Sequence, residues 1–299
     1  MRRLPAITFA EGTLDRAAHR RSEPLLLDRL LADPRTRVLE MAGDGFVLAG
    51  PAQEVLRPPA PQDAEADLTV FLGESADLDR TAYVLVARQG GVGSIGLREL
   101  ARDLQPDLAA IVATSLALAN WHWAHPRCSR CGEQTEAAQA GWTRRCPADE
   151  SEHFPRTDIA VIMAVTDADD RLLLARAPAW PPGRMSILAG FLEPGETMAQ
   201  AVAREVREEV GIAITDVELV ADQPWPFPSS LMVGFTASAL SADLVVDGIE
   251  IAEARWVRRD EVAALIAAGE YLPSPRFSIS RALVEDWYGG PLPSRPAAQ

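Results

Sequence analysis

Residues 190–212 read GFLEPGETMAQAVAREVREEVGI, and the reading of this stretch decides the fold. Thr197 and Gln200 stand at the spacing of a capping box, in which each side chain satisfies the other residue's backbone amide. A helix is therefore expected to begin near Met198 and to stop at Gly211, a residue that adopts the left-handed conformation without strain. Val202, Val206 and Val210 recur at i+4 and form the buried stripe of that helix. Glu205, Glu208 and Glu209 fall at i, i+3 and i+4, so they share an adjacent face. Like charges at that spacing cost about a few tenths of a kcal/mol per pair on an exposed helix, and more when partly buried. A divalent cation removes the repulsion, and Mg²⁺ prefers hard oxygen ligands of this kind. For a bare EREVREE string a solvated acidic face is the competing explanation.

The chain has 299 residues, room for two domains at roughly 100–200 residues each. Its apolar content of 47% suits a globular protein with a real core. A formal net charge of -14 gives no global attraction for nucleic acid or an anionic membrane. A nucleic-acid substrate would have to be held at a local site or through metal ions. The first residues carry early arginines but no apolar run of secretory length. The run LAAIVATSLALANWHWA, residues 108–124, is short for a membrane span and is read as a buried helix. No membrane association is expected, and the cytoplasm is the default compartment. The 3 cysteines are clustered and odd in number, which fits metal binding under reducing conditions better than disulfides.

Residues 1–124 alternate short apolar runs (RVLEMAG, GFVLAG, DLTVFLG, AYVLVARQG) with helical segments (LLLDRLLAD, LRELARDL), which predicts a mixed α/β domain closing in a long helix. Residues 125–155 are small, polar and cysteine-bearing. From 156 to 290 strands mingle with helices, the pattern of an α/β sandwich, and 291–299 reads as a flexible tail.

Gly190, Glu196 and the run Arg204-Glu205-Val206-Arg207-Glu208-Glu209-Val210-Gly211-Ile212 match the pattern G-x5-E-x7-R-E-U-x-E-E-x-G-U without a gap, U being aliphatic. The chain thus resembles the Nudix hydrolases. That resemblance implies an α/β/α sandwich with a mixed sheet, and metal-dependent cleavage of a nucleoside diphosphate linked to another group. It implies Mg²⁺ or Mn²⁺ held by Glu205, Glu208, Glu209 and the carbonyl of Ala189, with Glu208 or Glu209 orienting or deprotonating the attacking water. Arg204 would fix the carboxylates by charge-assisted hydrogen bonds. Glu250 matches a position that often supplies one more carboxylate, and a plain surface acid is the equal alternative there.

Further along, Gln223, Pro224, Trp225, Pro226, Phe227, Pro228, Ser229 and Ser230 read QPWPFPSS, too proline-rich for a core strand and too aromatic for a linker. They resemble the array S-Q-P-W-P-F-P-x-S of the NADH pyrophosphatase branch, with Asp222 in place of the leading serine. Proline lowers the entropy lost on ordering a loop. Trp225 and Phe227 can then face a planar ring, and Gln223 and Ser230 can bond amide, ribose or base. Phe154, in an aromatic-Pro-Arg entry to the first Nudix strand, and Ser280 near the C-terminus match further substrate-side positions. The branch also carries a zinc ribbon. Cys128 and Cys131 form one knuckle and Cys146 opens the second, but the fourth cysteine is missing. Asp149 stands in its register, and His153 is the chemically better ligand a few residues later.

The resemblance implies hydrolysis of NADH or NAD⁺ to nicotinamide mononucleotide and AMP, and removal of an NAD cap from RNA 5′ ends by breaking the same bond. It also implies a homodimer. A broader ADP-sugar hydrolase and a metal- or nucleotide-sensing module are the competing functions. His122 and His125 are expected to cap or pack rather than to bind zinc.

Overall fold

The computed structural model describes residue 4 and residues 7–294 apart from positions 51, 78 and 103. Contacts group the chain into two compact units. One is Phe9–Thr157 with Trp225–Ser229; the other is Asp158–Pro224 and Ser230–Gln299 with the segment before Phe9. The expected segments 1–124 and 125–155 therefore fall largely within one unit.

That unit contains α1 (Leu26–Ala32), β1 (Arg37–Ala42), β2 (Gly45–Val47), β3 (Leu56–Arg57), β4 (Leu68–Glu74), β5 (Ala82–Arg88), α2 (Leu97–Leu100) and α3 (Pro106–Ala124). The ribbon strands β6 (Glu136–Ala138), β7 (Thr143–Arg145) and β8 (Glu152–His153) follow. The larger sheet has the order β2-β1-β5-β4 with β3 also on β1. Val38, Phe71, Val84 and Val86 bury one of its faces against Leu26 and Leu30 of α1. The helix expected over LRELARDL is a single turn, α2, and position 103 lies outside the described residues. α3 is buried along most of its length, which is why its sequence carries no charge after Asp107 in the first turn; the Ser115 hydroxyl is satisfied by the Ile111 carbonyl at 2.9 Å. Among the described residues no helix is long and apolar enough to cross a membrane.

The other unit is built on β9 (Asp158–Thr166), β10 (Leu172–Arg176), β11 (Leu188–Phe191), α4 (Met198–Val210), β12 (Ile214–Trp225), β13 (Ser230–Ala239), β14 (Glu253–Val257), α5 (Val262–Ala268) and α6 (Ile279–Tyr288). Its sheet runs β12-β13-β9-β10-β14, with β11 paired to β9 beside β10. β9 is parallel to β13 and antiparallel to β10 and β11, so the sheet is mixed. Alternate residues of β9 enter different cores: Val161, Met163 and Val165 pack with Val202, Val206 and Val210 of α4. Ile162 and Ala164 pack with Ile279, Leu283 and Val284 of α6. Burial on both faces explains the unbroken apolar run of this strand and makes the unit the expected α/β/α sandwich.

Two expectations are corrected. QPWPFPSS is not wholly a loop: β12 continues through Gln223 and Pro224 to Trp225. β12 is the edge strand, where a proline's missing donor is tolerated. The turn occupies 226–229, and its Phe227–Pro228 bond is cis. Nor is 291–299 free throughout. Leu292 is buried, its amide donates to the Glu285 carboxylate at 2.9 Å, and its carbonyl accepts from Arg281. Residues 295–299 of that expected tail lie outside the described residues.

Candidate active site and zinc centre

The capping box closes α4 as the sequence demands. The Gln200 amide donates to Thr197 Oγ1 at 3.3 Å, and the Thr197 amide donates to Gln200 Oε1 at 2.8 Å. At the other end Gly211 takes a φ of 76°, and its amide caps Arg207. Such a cap is worth about 1 kcal/mol. It also fixes where the acidic face points.

Arg204 is the hub of that face. Its guanidinium donates to Glu196 at 2.7 and 3.0 Å, to Glu205 at 2.8 Å, to Glu208 at 3.1 Å and to the Phe191 carbonyl at 2.9 Å. The Arg204 bonds hold the Glu196 carboxyl below its ordinary range, and the carboxylates hold Arg204 charged. β11 lies under the Glu205 side chain. A Cβ added at Gly190 would stand 1.9 Å from the Glu205 Cδ, so only glycine leaves room for the carboxylate. Ala189, the expected carbonyl donor, is exposed on the same strand.

Glu209 differs from its neighbours. It is 5% exposed, and its Oε2 has no hydrogen-bond partner among the described residues. An unsatisfied buried carboxylate oxygen costs about 1–3 kcal/mol or more. Burial first, then the charges of Glu205, Glu250, Asp247 and Glu208, push its pKa up to about 8. Burial likewise raises Glu205. Glu250 lies on the exposed turn before β14 and adds to the field on both. Hard oxygens under mutual repulsion, one of them orphaned, fit Mg²⁺ or Mn²⁺. Among the described residues these carboxylates do not draw together to the spacing that the cysteine cluster reaches.

In the ribbon, one donor atom each from Cys128, Cys131, Cys146 and Asp149 lies within 4.8 Å of all the others. Sγ of Cys131 and Cys146 are 3.5 Å apart, and Cys128 Sγ is 3.7 Å from Asp149 Oδ2. Three thiols and a carboxylate at this spacing fit zinc. The Ser151 hydroxyl and amide donate to Asp149 Oδ1 at 2.5 and 3.0 Å and orient it. His153, the other candidate, faces the Ser151 hydroxyl at 3.2 Å and is outside the cluster. The ribbon is tied to α3 by His122. Arg144 Nη1 can only donate, so His122 Nδ1 accepts from it at 2.7 Å and Nε2–H donates to the Gly141 carbonyl at 2.9 Å. Burial lowers the His122 pKa to about 4 and keeps the ring neutral. His122 thus packs, and His125 caps α3 through its amide on Trp121.

Two expected substrate contacts are corrected. Gln223 is 0% exposed, and its amide is fully engaged in holding backbone. Nε2 donates to the carbonyls of Thr8 and Phe277 at 2.7 and 2.6 Å, while Oε1 accepts from Ile279 at 2.8 Å. Nothing is left for a ligand. Ser280 is 6% exposed, with its hydroxyl bonded to Ser186 and Ser274 at 2.8 and 3.1 Å. Pro226 and Ser230 are buried, Pro224 and Pro228 exposed, and Ser229 half-buried. Trp225 and Phe227 stay half-buried, edge to face at 4.9 Å. Phe154 is exposed.

Sequence reasoning missed the residues that hold this turn. Asn120 of α3 donates to the carbonyls of Pro226 and Pro228 at 3.3 and 3.1 Å. The Arg98 guanidinium lies 4.4 Å from the Phe227 ring centroid. An asparagine inside an apolar helix was the available signal for the first; nothing marked Arg98.

Comparison with known proteins agrees with this geometry. The NUDIX domain matches residues 156–277, and the NADH pyrophosphatase zinc ribbon domain matches 124–154. The NAD-capped RNA hydrolase NudC of Mycobacterium bovis is 40% identical over 274 residues, 86% of this chain and 85% of that protein. NudC of Stutzerimonas stutzeri is 41% identical over 64% of this chain and 66% of its own length. Human NAD-capped RNA hydrolase NUDT12 is 39% identical over 62% of this chain and 43% of its own. With the carboxylate helix, the ribbon and these relatives in agreement, the chain belongs to the Nudix hydrolases, in the branch that carries the NADH pyrophosphatase zinc ribbon.

Proposed function

We propose that this protein hydrolyses the diphosphate of NADH or NAD⁺ to nicotinamide mononucleotide and AMP, and removes an NAD cap from RNA by breaking the same bond. The observation that carries this is the α4 face, where Arg204 braces Glu205 and Glu208 while Glu209 keeps a buried, unpartnered oxygen. The names of the relatives support the choice of NAD over other diphosphates.

Glu205, Glu209, Glu250 and the Ala189 carbonyl are assigned to hold Mg²⁺ or Mn²⁺. Bound there, the cation supplies charge neutralisation at the diphosphate and acidifies a water. Glu208 is exposed and bonded by Arg204, so we assign the proton of the attacking water to Glu209, whose oxygen is free and shielded. Arg204 keeps Glu205 in place through the reaction by positioning, the usual protein contribution to phosphoryl chemistry. Trp225, Phe227 and Phe154 are assigned to planar rings of the substrate. Zinc on Cys128, Cys131, Cys146 and Asp149 is structural. We also take the chain to be a cytoplasmic homodimer, as the resemblance implies.

The test compares kcat/KM on NADH, ADP-ribose and a 5′-NAD transcript in Mn²⁺. NADH and the capped transcript should be cleaved faster than ADP-ribose. Faster ADP-ribose cleavage would replace this function with a broader ADP-sugar hydrolase.

A further inference from the structure

The turn that carries Glu250 is organised around one side chain. Asp247 accepts three backbone amides: Oδ1 takes Ile249 at 3.2 Å and Ile251 at 2.9 Å, and Oδ2 takes Glu250 at 3.0 Å. The Gly248 amide closes the turn on the Ile251 carbonyl at 3.2 Å. Helix ends leave carbonyls without intrahelical partners. At the end of α4 this segment fills two of them: the Asp247 amide reaches the Glu209 carbonyl at 3.2 Å and the Val245 amide reaches the Val210 carbonyl at 2.9 Å. Asp247 therefore grips with its backbone the residue bearing the buried carboxylate. With its side chain it grips the backbone of Glu250. No other described side chain accepts the Glu250 amide.

We propose that Asp247 is a positioning residue that fixes Glu250 against Glu209 and so sets the affinity of the α4 centre for its divalent cation. It lies outside the motif segment and acts through the turn. The proposal rests on the assignment of Glu250 to the metal. Groups that orient metal ligands typically change metal affinity about 10–100-fold when removed. An exposed set of amide bonds should lie at the lower end.

The test is a Mn²⁺ binding isotherm on the full chain, read from the electron paramagnetic resonance signal of free Mn²⁺, for wild type, Asp247→Ala, Asp247→Asn and Glu250→Gln. Thermal unfolding is recorded beside it. Asp247→Ala should weaken Mn²⁺ binding about tenfold. Asp247→Asn keeps one amide-accepting oxygen and should recover part of the loss, leaving binding about threefold weaker than wild type. Glu250→Gln should weaken binding at least as much as Asp247→Ala, and NADH cleavage should need more Mn²⁺ in step with each isotherm. If Glu250→Gln binds like wild type, the assignment of Glu250 fails and the proposal with it. If Glu250→Gln weakens binding but Asp247→Ala does not, Glu250 stands and the positioning role is overturned. Should Asp247→Ala fail to fold, Asp247→Asn decides: a weakening of about threefold supports the role, and a wild-type isotherm removes it.

Discussion

In the ribbon, four donor atoms converge within 4.8 Å, three of them thiols. On α4 the donors are carboxylates, two of them bridged by one Arg204 nitrogen, with one oxygen of Glu209 buried and idle. The first arrangement is closed and soft, the design of a structural zinc site; the second is open and hard, with room for substrate oxygens. The difference teaches where each region places its strain. The ribbon has a complete ligand set and packs against α3 through satisfied hydrogen bonds, Arg144 on His122 and His122 on Gly141. The α4 face stores charge repulsion in Glu209, which a cation relieves when substrate chemistry needs it.

The sharpest way to break this contrast is Glu209→Gln. It should lower kcat on NADH by about 10³-fold, within the range of a lost general base. Above about pH 8, where the Glu209 carboxyl would ionise against its neighbours, it should also raise the melting temperature of the metal-free protein. A variant that lost activity and melted earlier would mean that Glu209 stabilises the fold, contrary to the contrast. Next in size is Gly190→Ala. Its Cβ would displace the Glu205 carboxylate, and misplacement by about 1 Å costs about 10²-fold in rate. The ribbon's zinc content should not change.

Acid should act on the other region. His122 is neutral and buried, with its pKa depressed from 6.5 to about 4. The unfolded chain takes up this proton first as pH falls. The contribution is therefore complete above about 6.5 and is lost as pH drops toward about 4, a change of about 3 kcal/mol at most. Urea unfolding of the Phe9–Thr157 unit should weaken across that window, and His122→Gln should flatten the dependence. The smallest effect sharpens the ribbon's ligand set. Asp149→Asn should cost about tenfold in zinc affinity, measured by competition with a chelating dye, while His153→Ala leaves it unchanged. The reverse pattern would move His153 into the site.

The legible parts of this molecule are those in which one local rule acts. Thr197, Gln200 and Gly211 mark the ends of α4, and the valine stripe marks its buried face. The cysteine spacing marks the ribbon. Gln223 and Ser280 were misread because their partners lie far along the chain: Thr8, Phe277 and Ile279 for one, Ser186 and Ser274 for the other. A polar residue in a substrate-like motif looks available until the fold shows what occupies it. Pro224 was misread because strand position within a sheet is a tertiary fact, and an edge accepts what a centre rejects.

The central claim is that the α4 carboxylates break the diphosphate of NAD. Its most direct test incubates NADH with wild-type protein and with Glu209→Gln in Mn²⁺ and identifies the products chromatographically. The account predicts equal amounts of AMP and reduced nicotinamide mononucleotide from wild type and almost none from the variant. Intact NADH with wild type, or undiminished AMP from the variant, would contradict it.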